Sequence, residues 1–269
     1  MLLIATSGPL GKALELNPLQ GIWWRALFSL FFIGVFIFLK GWSIKMHSFK
    51  DIKIISLGGI LMAAHWVTYF FALQWAGVAI GMLSLFTYPV ITAFLEPVLL
   101  KVKFDPKQLI LALLICVGIY LIVPDFNFSN SSSKGLLIGL LSAFFYALRN
   151  ISLKRPSSKY PGSVLMGYQM LATLLILAPS LFLFDVHLVK SQLPILLALA
   201  LFTTTIGHTL FISSFKYFSI STASILSSVQ PVFGIVMAFL FLGEVPALTT
   251  IIGGLIILST VVVEGLKSK

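Results

Sequence analysis

Residues 79–90 read Ala79-Ile-Gly-Met-Leu-Ser-Leu-Phe-Thr-Tyr-Pro89-Val90, and residues 221–232 read Ser221-Thr-Ala-Ser-Ile-Leu-Ser-Ser-Val-Gln-Pro231-Val232. Both pass from small or polar residues to a Pro-Val step and then into a strongly apolar stretch. Setting Pro89 on Pro231 gives an offset of 142 residues with few identities, an internal repeat of moderate strength. Working outward, apolar runs broken by charged or turn-rich segments fall at roughly 2–15, 18–39, 54–74, 79–100, 107–123, 135–153, 162–184, 193–215, 220–242 and 247–265. Several connections are too short for anything but antiparallel neighbours: Trp75-Ala76-Gly77-Val78, Tyr217-Phe218-Ser219 and Gly243-Glu244-Val245-Pro246. Five runs per half is an odd number, so the second half enters the membrane in the opposite sense. The expected fold is an all-α polytopic membrane protein of about ten transmembrane helices in two inverted five-helix repeats. The repeats are residues 1–125 and 135–269, joined by an Asn/Ser-rich outer linker at 126–134.

Composition agrees with this. The 269 residues are 59% hydrophobic and 10% charged, with a mean hydropathy of +1.07. A soluble domain carries about 25% charged residues, so a soluble enzyme and a disordered chain are both excluded. Ten helices of about 20 residues leave roughly 70 for termini and connections. The net charge of +10 does not point to nucleic acid, because the basic residues form short clusters between apolar runs. Cys116 is the one cysteine and forms no intrachain disulfide.

With the amino terminus inside, fourteen of the eighteen basic residues fall in or beside cytoplasmic segments, Arg149 among them. Lys12, Lys134 and Lys190 fall outside, and Arg25 lies within the second span. That bias places both termini in the cytoplasm. Asn-x-Ser matches at Asn127 and Asn130 carry little weight, because so short a pattern recurs by chance. Residues 2–15 are too few to cross about 30 Å of hydrocarbon, and Gly8 and Pro9 interrupt them. This run is either a broken half-helix or the remainder of a longer one whose natural start lies upstream; the second is preferred.

The chain resembles the EamA branch of the drug/metabolite transporter superfamily. The matching pieces are Trp24-Arg25-Ala26, Tyr69-Phe70-Phe71-Ala72-Leu73, Tyr88-Pro89-Val90, Gln230-Pro231-Val232 and Leu242-Gly243-Glu244. Their order is more specific than any one of them, and they cover nearly the whole chain. The resemblance implies ten helices in two repeats that move small metabolites, most often outward. One departure is that the Gly-Glu ending stands in the second half only: Val102 occupies the position that matches Glu244.

Ionisable and polar residues within the spans are the functional candidates. Arg25 is read as a gate or an anchor for an acidic group, or else as a side chain that snorkels to the interface. Gln169 holds the matching place in the seventh span. His65 and His208 differ by one residue from the 142 offset, which brings both toward the central seam. Around them Tyr69, Ser84, Tyr88, Thr205, Ser227 and Gln230 are expected to complete a substrate-cavity wall. Either imidazole could take up a coupling proton, or simply hold helices together. Pro89 and Pro231 are expected mid-helix, as hinges or fixed kinks. Glu244 is expected to be a structural helix-end residue. Gly253-Gly254 reads as close packing, with a dimer seam as the alternative.

No acidic residue falls mid-membrane, since Glu15, Glu96, Glu244 and Glu264 lie near helix ends. That disfavours organic cations and suits neutral, zwitterionic or anionic metabolites, with amino acids and nucleobases as leading classes. The expected function is a secondary transporter, an exporter working by alternating access. It needs no cofactor beyond a coupling proton, and it sits as a monomer or homodimer in the bilayer of a bacterial plasma membrane. A passive facilitator or a non-transporting assembly factor on the same scaffold is the alternative. An intramembrane enzyme lacks support, because no paired acids, His-x-x-x-His or cysteine cluster is present to form a catalytic or metal site.

Overall fold

The computed structural model describes residues 1–100, 108–123, 127–182, 187–218, 220, 223 and 227–267. Among these, all regular structure is helical. The amino-terminal run forms two short pieces, α1 (Leu2–Ala5) and α2 (Ser7–Ala13), and then comes α3 (Pro18–Lys40). Asn17 caps α3 by accepting from the Leu19 amide, with Pro18 in its first turn, and Gly41 ends it in the left-handed conformation at φ 63°.

The helix α4 (Phe49–Leu85) takes in the third expected span and the start of the fourth. It is not straight. Gly77 lies at φ 82°, ψ 173°, a region open essentially to glycine alone. Gly81 packs onto the backbone of Leu73, whereas a straight helix would hold the two about 12 Å apart. The chain therefore reverses at Gly77, and residues 49–76 and 78–85 run antiparallel.

A second break at Phe86-Thr87 precedes α5 (Tyr88–Leu100), and α6 (Gln108–Ile122) closes the first half. The second half holds α7 (Ser131–Lys159), α8 (Gly162–Leu177) with a 3-10 turn at Ala178–Phe182, and α9 (His187–Ala198). The last runs through a π-helical stretch, Leu199–His208, into α10 (Thr209–Ser214); α11 (Val229–Leu242) and α12 (Leu248–Lys267) follow.

Five of these helical segments are long and apolar enough to cross a membrane: Pro18–Lys40, Phe49–Leu85, Ser131–Lys159, Gly162–Phe182 and Leu188–Ser214. Four apolar helices are shorter: Tyr88–Leu99, Leu113–Ile122, Val229–Leu242 and Leu248–Val263. Local breaks account for part of the difference from ten uniform spans: Thr6 divides the first run, Gly77 reverses the chain between the third and fourth runs, and Phe86-Thr87 cuts the fourth. Lys101, Lys103, Lys107, Lys269 and Val102 lie outside the described residues, as do residues 124–126 at the linker and most of 219–226.

Packing relies on small residues that let backbones approach. The helix α4 lies along α7, where Gly58 meets Leu153 and Gly135 meets Ala76 on its first piece, and Gly139 meets Ser84 on its second. Gly253 backs onto Gly118, and Gly254 onto Leu83, so this pair is used within the chain. Asn127 and Asn130 act locally: Asn127 accepts from Ser129, and Asn130 caps α7 by accepting from the Ser132 amide. Trp66, Phe70, Tyr88, Leu153 and Phe215 belong to one apolar core of the bundle.

The two ends of the bundle are closed differently. At one, Glu244 Oε2 accepts from the Val78 amide at 2.7 Å, capping residues 78–85 where the chain reverses. Lys12 donates to the Gln74 carbonyl at 3.0 Å and lies 4.0 Å from Glu244, while Gln74 donates to the carbonyls of Leu14 and Leu16. About 35 Å away along α4, Asp51 accepts from the Tyr160 hydroxyl at 2.7 Å and from Lys159 at 3.3 Å. Burial, and then the Asp51 carboxylate, raise the Tyr160 phenol above its usual range, which keeps it a donor. Lys154 joins α7 to the last carbonyls beyond α10, those of Phe215 and Phe218.

Candidate functional site

Between these two ends lies a chamber of about 20 Å³, the space of a single water, lined by residues that include Ser7, His65, Tyr69, Tyr146, His208 and Gln230. Ile4, Trp66, Met82, Leu85 and Phe86 complete its wall. Both halves of the chain contribute. A groove of about 590 Å³ between α3 and α8 is larger, but Leu30, Ile33, Phe38 and Leu171 make it almost wholly apolar. The chamber is where the polar side chains converge.

His65 Nδ1 lies 2.8 Å from Ser142 Oγ, and the same hydroxyl donates to the His65 carbonyl at 2.8 Å. The hydroxyl has one proton, so the ring donates at Nδ1 and keeps Nε2 as an acceptor. The imidazole stacks on Tyr146 at 4.4 Å and lies 5.9 Å from Tyr69, with Phe211 beyond Tyr146 at 6.2 Å. His208 meets Trp66 edge-on at 5.5 Å. Its Nδ1 is buried without a hydrogen-bond partner among the described residues.

Arg25 is completely buried, so it does not snorkel. Its Nε donates to Thr204 and Nη2 to Thr203, both at 2.8 Å, while Nη1 reaches Ser7 at 3.4 Å. Its guanidinium lies 3.8 Å over the Trp66 ring. Two consecutive threonines face one arginine because the π-helical stretch shifts the register of this face. Thr204 bonds the Leu199 carbonyl five residues back, and Thr203 bonds it four back. Stretches of this kind recur at functional sites. They also break the expected i, i+3 pairing of Thr205 with His208. Thr205 is half-buried, away from the chamber wall, with a hydroxyl that has no partner among the described residues.

Arg149, expected among the cytoplasmic cations, is equally buried. Its Nε donates to Gln169 Oε1 and Nη1 to Asn150 Oδ1, each at 2.9 Å, and Nη2 meets the Met166 sulfur at 3.8 Å. Gln169 therefore holds an arginine instead of acting as a second Arg25.

Of the other expected wall residues, Tyr88 and Ser227 bond each other at 2.6 Å, one layer behind Tyr146, from which Tyr88 lies 4.8 Å. Ser84 turns its hydroxyl to the Gly81 carbonyl and packs on Gly139. Pro89 and Pro231 stand in the first turns of α5 and α11, where the amide would have no intrahelical partner, and not mid-helix. Ser7, Trp66, Met82, Tyr146, Thr203 and Thr204 carry no signal that singles them out in the sequence. Arg149 did carry one, an arginine inside an apolar run.

The chain matches the profile of the EamA-like transporter family over residues 1–123 and again over 133–264. It is 24% identical to the pseudopaline exporter CntI of Pseudomonas aeruginosa strain UCBPP-PA14, over 77% of this chain and 73% of that one. An uncharacterized transporter of Archaeoglobus fulgidus is 27% identical over 66% of this chain and 63% of its own length. A solved crystal structure superposes at a TM-score of 0.73 with 17% identity, covering 99% of this chain and 95% of that one, a likeness of fold. Two successive matches spanning most of the chain place it in the EamA-like transporter family, as a membrane transporter built of two repeats.

Proposed function

We propose that the protein exports small metabolites by alternating access, with the chamber as its cargo site. The observation that carries this reading is the chamber itself: lined from both halves and furnished with the polar groups His65, Tyr69, Tyr146, His208 and Gln230. Its volume of about 20 Å³ admits one water, so the chamber widens to take up cargo. Binding sites between repeats near the midplane are typical of secondary transporters.

The reading includes ten membrane crossings in two inverted repeats, 1–125 and 135–269. The Asp51 end and both termini face the cytoplasm. With Arg149 withdrawn into the interior, the basic residues still favour that orientation. An outward direction is supported by the Pseudomonas relative, which is named as an exporter. Cargo is a small neutral, zwitterionic or anionic metabolite, amino acids and nucleobases included. His208 is the candidate for uptake of a coupling proton, because its Nδ1 is buried without a hydrogen-bond partner among the described residues.

The test is flux in proteoliposomes with radiolabelled amino acids, nucleobases and small organic acids, with and without an imposed pH gradient. Saturable flux that falls at least tenfold in Gln230→Ala and His208→Ala is expected. Flux that follows the gradient supports proton coupling. Absence of all flux from a well-folded preparation would overturn transport in favour of an assembly role, and flux without saturation would favour a facilitator.

A further inference from the structure

Arg25 and Arg149 are both 0% exposed, and each is surrounded by neutral groups: hydroxyls, amides, a thioether and ring faces. Among the described residues the ion pairs are Lys12–Glu244 and Lys159–Asp51. Among the described residues, therefore, neither buried guanidinium has a carboxylate within 4.0 Å. Buried charges are ordinarily paired, because an ion out of water without a countercharge is costly. Neutral acceptors satisfy hydrogen bonds but leave both charges standing, and two like charges beside one chamber repel.

Each arginine also has one weakly held nitrogen. Arg25 Nη1 reaches Ser7, a chamber-lining residue, at 3.4 Å, against 2.8 Å for its two threonine contacts. Arg149 Nη2 has the Met166 sulfur at 3.8 Å, a weak acceptor. Arginine holds carboxylates through paired N–H donors, so these are the atoms an incoming anion would engage.

The two charges approach the chamber from opposite ends. Arg25 is seven residues into α3, about 10 Å from the Glu244 end of the bundle. Arg149 is ten residues before the end of α7, about 15 Å from the Asp51 end. The Arg25 guanidinium stacks on Trp66, and that of Arg149 lies 5.9 Å from the Tyr146 ring; both rings line the chamber.

We propose that the cargo is a small dianion of the dicarboxylate class, one acidic group drawn to Arg25 and the other to Arg149. This rests on the transporter reading of the same chamber. A dianion entering from the Asp51 end meets Arg149 first. It bridges both charges once the chamber, now the space of one water and lined by neither arginine, has widened toward them, and it leaves past Arg25. Displacing Ser7 from Nη1 frees the better of the two sites, and the wall separating the charges, Trp66 to Tyr146, sets the chain length that fits.

The test uses the purified full-length protein and an isosteric charge series: a dicarboxylate, its monoamide and its diamide, at chain lengths from malonate to adipate. Thermal stabilisation gives affinity, and counterflow in proteoliposomes gives transport. At one or more lengths the dicarboxylate should bind at least tenfold more tightly than its monoamide, and the monoamide more tightly than the diamide. Arg25→Gln and Arg149→Gln should each remove the advantage of the second carboxylate while leaving monoamide affinity within about threefold. Lysine at either position should restore part of that advantage. If a glutamine variant fails to fold, the wild-type charge series still decides. Equal affinity across the series, or no binding of any dicarboxylate, overturns the dianion assignment. If neutral amino acids or nucleobases are nevertheless transported, the transporter reading stands; if no solute moves, that reading falls as well.

Discussion

The two closed ends of the bundle reach the same result by different chemistry. At the Glu244 end a carboxylate caps a backbone amide at a chain reversal, Val78, and the glycine before it occupies a conformation that other residues avoid. At the Asp51 end the closure rests on side-chain contacts, with Asp51 taking hydrogen bonds from Tyr160 and Lys159, Lys154 reaching the Phe215 and Phe218 carbonyls, and the Lys159 side chain 52% exposed. A cap on an otherwise orphaned amide fixes the path of the backbone. A clasp of side chains, of which Lys159 is half-exposed, can be released without refolding the backbone. The Glu244 end is therefore the more rigid seal, and the Asp51 end is the one that opens at lower cost.

Substitutions at four positions bear on that contrast. The largest effect is expected from Gly77→Val, which must hold a β-branched residue at φ 82° with Glu244 3.1 Å from its Cβ. The backbone alone accounts for about 1–3 kcal/mol. A marked drop in Tm and in folded yield should follow. Next, Glu244→Ala leaves the Val78 amide without its acceptor and should cost about 1–3 kcal/mol. Glu244→Gln, which keeps an acceptor oxygen, should recover most of this. Labelling of a cysteine placed at Ser7, in a Cys116→Ser background, should rise in Glu244→Ala and stay low in Glu244→Gln.

A smaller effect is expected from Tyr160→Phe, which removes one hydrogen bond to Asp51 and the acceptor of the His47 amide. The fall in Tm should be roughly half that of Glu244→Ala, with faster flux if opening at this end limits turnover. Smallest is Lys159→Met, where an exposed ion pair is lost and Tm should not change measurably. If Tyr160→Phe destabilises as much as Glu244→Ala, the contrast between a rigid and a releasable end is broken. A Ser7 cysteine that is labelled equally in both variants would break it too.

How much of this could be read beforehand depends on how local the signal was. Glu244 was legible as a helix-end residue because Gly243 beside it is a recognisable stop, but its partner Val78 is 166 positions away. His65, Tyr69, His208 and Gln230 were found from polarity within apolar runs, and the chamber gathers all four. Ser84, Tyr88, Thr205 and Ser227 were found by the same rule and lie behind the wall or beside it. Helical spacing places residues on a face, yet it does not say which neighbour covers that face, and a π-helical turn changes the spacing itself. Gln169 was matched to Arg25 by repeat symmetry. Only the packing of α7 on α8 shows it holding Arg149.

The sequence alone determined the membrane class, the helical character, the repeat and the family resemblance. These depend on summed hydropathy, on short-range spacing and on the order of motifs, all of which are written along the chain. The tertiary structure decided where the chain reverses at Gly77 and which polar residues face the chamber. It also decided that two arginines stand buried among neutral groups. Those depend on contacts between residues far apart in sequence, and a buried charge is known to lack its counterion only when everything packed around it is known.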